Sequence, residues 1–258
     1  MKPSGQEKIQ HSAGQKSDSA NCQELEKANL VINQFIKSCS HSMRSPLKSI
    51  RGLVNILKER SSDTGVDPVI VLKFIEESTD KMETMLDELE QFMLNSSKET
   101  NSKSIDLEEL IFRVTTGFQK EIKKENINLT VQVEQSGPFY SDPGRIGMIL
   151  NHVLMNALTF QKTENPDKRV RITCCVDAEK CVLDVEDNGI GIEADQHQNI
   201  FKIFYQATGN PNGSGIGLFV VREALDKMGG TLTLHSQSGQ GSLFTFSFPN
   251  QGLKVTKR

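Results

Sequence analysis

Apolar positions recur at spacings of three and four along two long stretches, then give way to short alternating runs. From about Gln23, the residues Ile32, Ile36, Cys39, Met43, Leu47, Ile50, Val54 and Leu57 fall on one stripe at about 100° per residue, which predicts one long amphipathic helix. Ser61 to Val66, with Gly65, reads as a connector. Asp67-Pro68 reads as a cap followed by proline in the first turn of a second helix. That helix carries Leu72, Ile75, Thr79, Met82, Leu86, Leu89 and Met93, a heptad seam. Two long helices with a short connector predict an antiparallel hairpin. A lone hairpin leaves apolar surface wet, and pairing of two copies into a four-helix bundle covers it. The competing arrangement packs the hairpin on its own downstream domain; the sustained seam favours the bundle.

Ser96 to Ser104 is a polar break. Beyond it helices and strands alternate, with helices over Leu107–Lys124, Pro143–Phe160 and about Ile216–Met228, the last ended by Gly229-Gly230. Strands are expected over Asn128–Glu134, Val170–Val176, Cys181–Glu186, Thr231–Ser236 and Ser242–Phe248. This pattern predicts helices layered on a mixed sheet, an α/β two-layer sandwich. The expected organisation is a polar, disordered tail or linker over 1–21, an all-α hairpin over 22–97, an α/β domain over 98–250 and a tail over 251–258.

Composition narrows the function classes. In 258 residues, 30 Lys and Arg face 33 Asp and Glu, so the net charge is −3 and no global basic field holds nucleic acid or an anionic membrane. No apolar run approaches the ~18 residues of a spanning helix, and the chain opens with no signal-peptide pattern. Direct membrane contact of this segment is not expected. The five cysteines form neither a CxxC pair nor a Cys/His cluster, which points to small, mostly buried thiols in a reducing compartment.

Four features carry candidate chemistry. His41 lies roughly 160° from the apolar stripe, so it points outward, and Ser45 follows one turn later about 40° from it. Pro46 lacks the amide that would bond Ser42, so a bend is expected beside an exposed, largely neutral imidazole. An outward histidine is otherwise an ordinary solvated residue. Asp187-Asn188-Gly189-Ile190-Gly191 follows a strand whose Leu183 and Val185 share a face with Asp187. That carboxylate needs a partner, which an amino group of a bound base or an internal hydrogen bond supplies equally. Gly213-Ser214-Gly215-Ile216-Gly217 opens a helix, where free amides and the helix dipole suit phosphate, although a flexible surface turn fits as well. Asn156 sits mid-helix with His152 one turn before it. It is a candidate carbonyl ligand for Mg²⁺ or simply a solvated amide.

The order of these features resembles the catalytic core of two-component sensor histidine kinases. Ser40-His41-Ser42-Met43-Arg44-Ser45-Pro46-Leu47 resembles the family's phospho-acceptor box, and Asn151 to Phe160 its asparagine box. Asp187-x-Gly189-x-Gly191 and Gly213-x-Gly215-x-Gly217 resemble its two glycine boxes, with the aromatic segment Ile200 to Tyr205 between them. The resemblance covers about residues 23 to 249. It implies a dimerising histidine-phosphotransfer hairpin and a Bergerat-type ATP-binding fold of the gyrase, chaperone and MutL superfamily. By resemblance, Asp187 recognises the adenine amino group and Asn156 binds Mg²⁺, with His152 at the preceding polar position. Gly213, Gly215 and Gly217 border a lid over the triphosphate of ATP, and Phe201 and Phe204 anchor it. His41 takes the γ-phosphoryl group and passes it to an aspartate of a response-regulator receiver domain, which is a separate protein. The implied setting is cytoplasmic, as a fragment of a larger sensor that a membrane tether is compatible with.

Two departures from the family pattern stand out. Ser42 replaces the usual acidic residue after the histidine, which removes a base worth roughly 10²–10⁴-fold. Thr159 replaces a lysine near the phosphates, leaving Lys162 as the nearest cation, while Ser45 stands at the position linked to phosphatase activity. These departures motivate an alternative, an ATP-binding dimeric scaffold or phosphatase-biased core with weak autokinase activity. A superfamily ATPase driving a clamp is opposed by Asn151-His152, where a catalytic glutamate is wanted.

Overall fold

The chain is described by a computed structural model covering residues 42–58, 67–97, 99–207 and 214–253. His41, Gly213, Cys22, Cys39, the expected tail over 1–21 and residues 254–258 lie outside the described residues.

Residues 42–58 form helix α1, and α2 spans Pro68–Ser97. The expected bend at Pro46 does not interrupt α1, which is helical through that residue. Asp67 caps α2, its carboxylate accepting the Val69 amide at 2.9 Å. The two faces of α2 differ from a simple seam. Leu72, Leu86 and Met93 of the heptad are 51%, 48% and 62% exposed, whereas Val71, Ser78, Phe92 and Asn95 are buried. Among the described residues Leu72, Leu86 and Met93 of the seam are left uncovered, while Ile75, Met82 and Leu89 are half-buried.

Packing divides the chain after Thr79, and the second compact unit begins at Asp80, inside α2. The compositional break near residue 97 marks where the helix ends. The packing division falls earlier because Glu88, Gln91, Phe92 and Asn95 touch the α/β elements that follow.

Those elements are β1 (Lys103–Ile105), α3 (Leu107–Gly117), α4 (Gln119–Lys124), β2 (Asn128–Gln135), β3 (Phe139–Ser141) and α5 (Pro143–Thr159). There follow β4 (Arg169–Val176), β5 (Lys180–Asp187), α6 (Gly217–Lys227), β6 (Thr231–Gln237) and β7 (Gly241–Pro249). Five strands form one sheet in the order β2-β4-β5-β7-β6, with β2 and β4 parallel and the other pairs antiparallel. β1 and β3 make a separate antiparallel pair that the sequence pattern did not reveal.

Alternation decides which face of the sheet is buried. Cys181, Leu183 and Val185 of β5 and Phe244, Phe246 and Phe248 of β7 all turn inward. The three phenylalanines stack in file, with centroids 6.5 and 6.3 Å apart. Each such buried side chain contributes about 1.5–3 kcal/mol. α5 lies on this face through Ile146, Ile149, Leu150, Val153, Leu154 and Ala157. The helix starts as its sequence predicts: Asp142 accepts the Arg145 amide at 3.1 Å, and Pro143 occupies the first turn. The helix expected over Leu107–Lys124 is instead two helices. Phe118 leaves helical geometry at φ −102° and ψ 10° to bury its ring, and its amide bonds back to the Thr115 and Thr116 carbonyls.

Candidate functional site

Asp187 ends β5 on the buried face that Leu183 and Val185 define. Its carboxylate accepts the Gly189 amide at 2.8 Å and the Ser242 amide. Burial nevertheless raises its pKa to about 6; those two bonds oppose the rise, and the nearby Glu186 charge adds to it. The chain then turns sharply. Gly191 has φ +67°, and a side chain there would run into the Gln237 carbonyl. This turn is locked from two sides: the Ile190 amide donates to the Phe160 carbonyl at 3.0 Å, and the Gly239 amide to the Ile190 carbonyl at 2.7 Å.

α5 carries the second part. Asn156 is half-buried, and its side chain makes no hydrogen bond among the described residues. His152, one turn earlier, is buried and hydrogen-bonds through Nε2 to Gln91 Oε1 at 3.1 Å. Desolvation holds its pKa down at about 4, so the imidazole stays neutral at physiological pH.

The glycine-rich turn before α6 supplies the third part. Gly215 has φ +74° and lies flat against the Phe204 backbone, where a Cβ would collide. The Phe204 amide donates to the Gly215 carbonyl at 2.7 Å, and Phe204 itself takes a positive φ of 61°. Phe201 packs toward the core beneath the Arg222 guanidinium, 5.6 Å from its ring centroid. Phe204 thus sits at the foot of the turn, whereas Phe201 meets α6 further along, at Arg222.

These parts enclose a cavity of about 310 Å³. Asp187 lies on its wall, beside the apolar side chains of Ile190, Ile192, Ile200 and Phe244, a setting for a flat ring with an amino group. Asn156, His152, Thr159, Ser214, Gly215 and Gly217 line it as well. There the free amides at the start of α6 provide a setting for phosphate. Gly189, Phe201 and Phe204 support the walls without lining them. Lys162 donates to the Gly239 carbonyl at 2.6 Å. Ser45 is exposed on α1.

Among the described residues no group of three His, Cys, Asp or Glu side chains suits a metal ion. The donor set present, a lone amide oxygen at Asn156, fits Mg²⁺ only when the ion's remaining ligands are phosphate oxygens and water. Cys174 and Cys181 are buried with their sulfurs 3.5 Å apart in a thiol hydrogen bond, Cys175 is exposed, and none of the three is in a disulfide.

The sequence pattern missed two lining residues of α2, Thr84 and Glu88. The signal for them was Phe92, a large aromatic off the heptad seam, which marks a second buried stripe four residues after Glu88.

Residues 141–252 match the family model described as histidine kinase-, DNA gyrase B-, and HSP90-like ATPase. Residues 31–95 match the His Kinase A phospho-acceptor domain. With the phospho-acceptor domain first and the ATPase domain second along the chain, the two define the catalytic core of an ATP-dependent protein-histidine kinase. The chain belongs to the sensor histidine kinase family. It is 31% identical over 241 residues to the aerobic respiration control sensor protein ArcB of Escherichia coli (strain K12), covering 86% of this chain and 29% of ArcB. It is 27% identical over 227 residues to the methanogenesis regulatory histidine kinase FilI of Methanothrix harundinacea (strain 6Ac), covering 88% of this chain and 25% of FilI. The crystal structure of full-length ShkA in complex with AMPPNP is similar with a TM-score of 0.58 at 25% identity, covering 81% of this chain and 44% of ShkA. The chain thus spans less than a third of the length of either curated relative. Among the described residues no helix is long and apolar enough to cross a membrane.

Proposed function

We propose that this chain binds Mg-ATP in the cavity and phosphorylates its own His41, then passes the phosphoryl group to an aspartate of a response-regulator receiver domain. The observation that carries the reading is the cavity itself, where a half-buried, amide-held carboxylate and the glycine-rich start of α6 line one space. In that space Asp187 accepts from the adenine amino group, and the α6 amides receive the phosphates. Asn156 contributes an oxygen to Mg²⁺, which neutralises phosphate charge when bound. A ring nitrogen of His41 attacks the γ-phosphorus, the N–P bond forms as the bond to the β-phosphate oxygen breaks, and ADP leaves. The receiver aspartate then attacks the same phosphorus and the N–P bond breaks.

The reading includes a homodimer in the cytoplasm. Its support is the exposed seam of Leu72, Leu86 and Met93, which a second copy would cover. A phosphatase-biased core is the second reading. It is favoured by Ser42 at the acidic position and by the exposed hydroxyl of Ser45.

The test is incorporation of label from γ-labelled ATP followed by peptide mapping. Acid-labile, alkali-stable label on the peptide holding His41 is the expected result. Steady ATP turnover with no such label would replace the kinase reading by that of an ATPase.

A further inference from the structure

The α6 end of the cavity holds a carboxylate that the proposed reaction does not use. Glu88 stands on α2 one turn beyond Thr84, and both line the cavity. The residues that follow it hold that turn of helix in place. Gln91 bonds to His152, and Phe92 meets the Phe219 ring of α6 with centroids 5.6 Å apart. Asn95 Oδ1 accepts from Arg145 Nε at 2.7 Å. The Glu88 carboxylate accepts from the Ser214 hydroxyl, which in turn accepts the Ile216 amide at 3.0 Å. Its Oε2 is buried with no hydrogen-bond partner among the described residues. A Cβ built on Gly217, the first residue of α6, would lie 3.6 Å from Glu88 Oε1 and 3.1 Å from His152 Nδ1. The carboxylate therefore stands at the helix start that suits phosphate.

We propose that Glu88 sets the affinity and phosphate selectivity of the pocket by competing with the nucleotide's phosphates for the start of α6. The inference rests on the reading of this cavity as an ATP site. Its logic is electrostatic. A helix N-terminus attracts one anion, and here the chain already supplies one. An incoming phosphate meets a like charge within a few ångströms in a partly desolvated space, where repulsion is strong. The penalty grows with ligand charge, so ATP suffers most, ADP less and adenosine not at all. Glu88 is displaced, or protonated, before triphosphate settles.

Protonation is within reach because burial raises the Glu88 pKa to about 6, with the Ser214 bond opposing and the Asp87 charge assisting. Among the described residues the other titratable groups facing the cavity are His152 on α5, Asp187 at the end of β5, and Tyr205. His152 stays neutral across the range that matters. Asp187 titrates near Glu88, so the experiment compares two proteins that both retain it.

Calorimetric titrations of the full chain and its Glu88→Gln variant with adenosine, ADP and ATP, in EDTA at pH 7.5 and 5.5, test the inference. At pH 7.5 the variant binds ATP about ten-fold more tightly, gains less for ADP and is unchanged for adenosine. At pH 5.5 the two proteins converge, since most Glu88 is then protonated. Equal ATP affinities at pH 7.5 overturn the inference, and so does a gain shared by adenosine, which would report altered packing. Weaker ATP binding by the variant also overturns it and would make Glu88 a contributor to the bound state. If neither folded protein binds adenosine, the ATP-site reading fails and takes this inference with it.

Discussion

Replacing Asp187 by Asn lowers adenosine affinity by about 10- to 100-fold, because a buried hydrogen bond to a charged acceptor is lost and the purine amino group is left unmatched. Asn keeps the shape of the side chain, and its oxygen can still take the Gly189 amide, so the turn survives. The loss is therefore in binding and not in fold. Stability moves the other way. Burial lifts the Asp187 pKa from 3.8 to about 6, so the ionised form is disfavoured in the folded chain. The sign follows: this group lowers stability as pH rises from about 3.8 to about 6, and the full penalty persists above that. The Asn variant escapes a penalty of up to about 3 kcal/mol at neutral pH. It should melt higher while binding worse, a combination that misfolding does not produce. The pH profile supplies a second reading. In the wild-type chain adenosine affinity falls as pH drops through about 6, because the carboxylate gains the proton that blocks its acceptor role. In the variant this slope disappears. Adenosine is the ligand of choice, since it carries no phosphate for Glu88 to repel. Calorimetric titration between pH 5 and 8 measures affinity, and scanning calorimetry measures melting. Unchanged adenosine affinity would remove Asp187 from the base-binding role.

Most of the elements that carry this site were legible in the sequence. Period-2 alternation in Cys181, Leu183 and Val185 placed Asp187 on the buried face before any coordinates. Asp142-Pro143 marked the start of α5, which fixed the common face of His152 and Asn156. Glycine spacing identified both turns, and the positive φ values of Gly191 and Gly215 give the physical reason for glycine there. What escaped was set by tertiary contact. β1 and β3 are three residues each, too short to show a period. Phe118 breaks a continuous helical pattern only because its ring finds the core. α2 is the main lesson. Its heptad seam was plain, yet a second stripe through Glu88, Phe92 and Asn95 meets other elements of the same unit. A helix with two contact faces has one dominant period, and the polar members of the weaker face, Glu88 and Asn95, look like solvated residues until their partners are known.

That weaker face depends on Arg145, and Arg145→Ala should destabilise the unit by about 3–5 kcal/mol. The guanidinium is 6% exposed and serves several acceptors at once. Nη1 meets Asp142 Oδ2 at 2.6 Å, Nε meets Asn95 Oδ1 at 2.7 Å and Nη2 meets the Asn95 carbonyl at 3.2 Å. One residue thereby ties the N-cap of α5 to the end of α2. Truncation strands the buried Asp142 charge and the Asn95 oxygen, and breaking one partner of a buried pair is far more damaging than replacing both. A loss of this size lowers the melting temperature by about 10 °C in a chain of this length. Arg145→Lys should fall between, since an ammonium restores charge without the planar fork. Acid titration separates lost pairing from lost packing. Burial pushes the Asp142 carboxyl up, but the Asn101 and Arg145 amides and the guanidinium outweigh it and hold the pKa below 3.8. Its stabilising contribution is present above 3.8 and is lost as pH falls through the lower folded value. Without the guanidinium, burial has less to oppose it. The gap in stability between wild type and Arg145→Ala should therefore narrow as pH falls below about 4, when protonation removes the stranded charge. Chemical denaturation across pH 3 to 7 measures that gap. A constant gap would mean that Arg145 acts through its packed stem alone. A narrowing gap would make the Asp142–Arg145–Asn95 cluster the clamp that holds Gln91 and Glu88 against the cavity, and loosening it should then change nucleotide affinity without any change in the residues that touch the base.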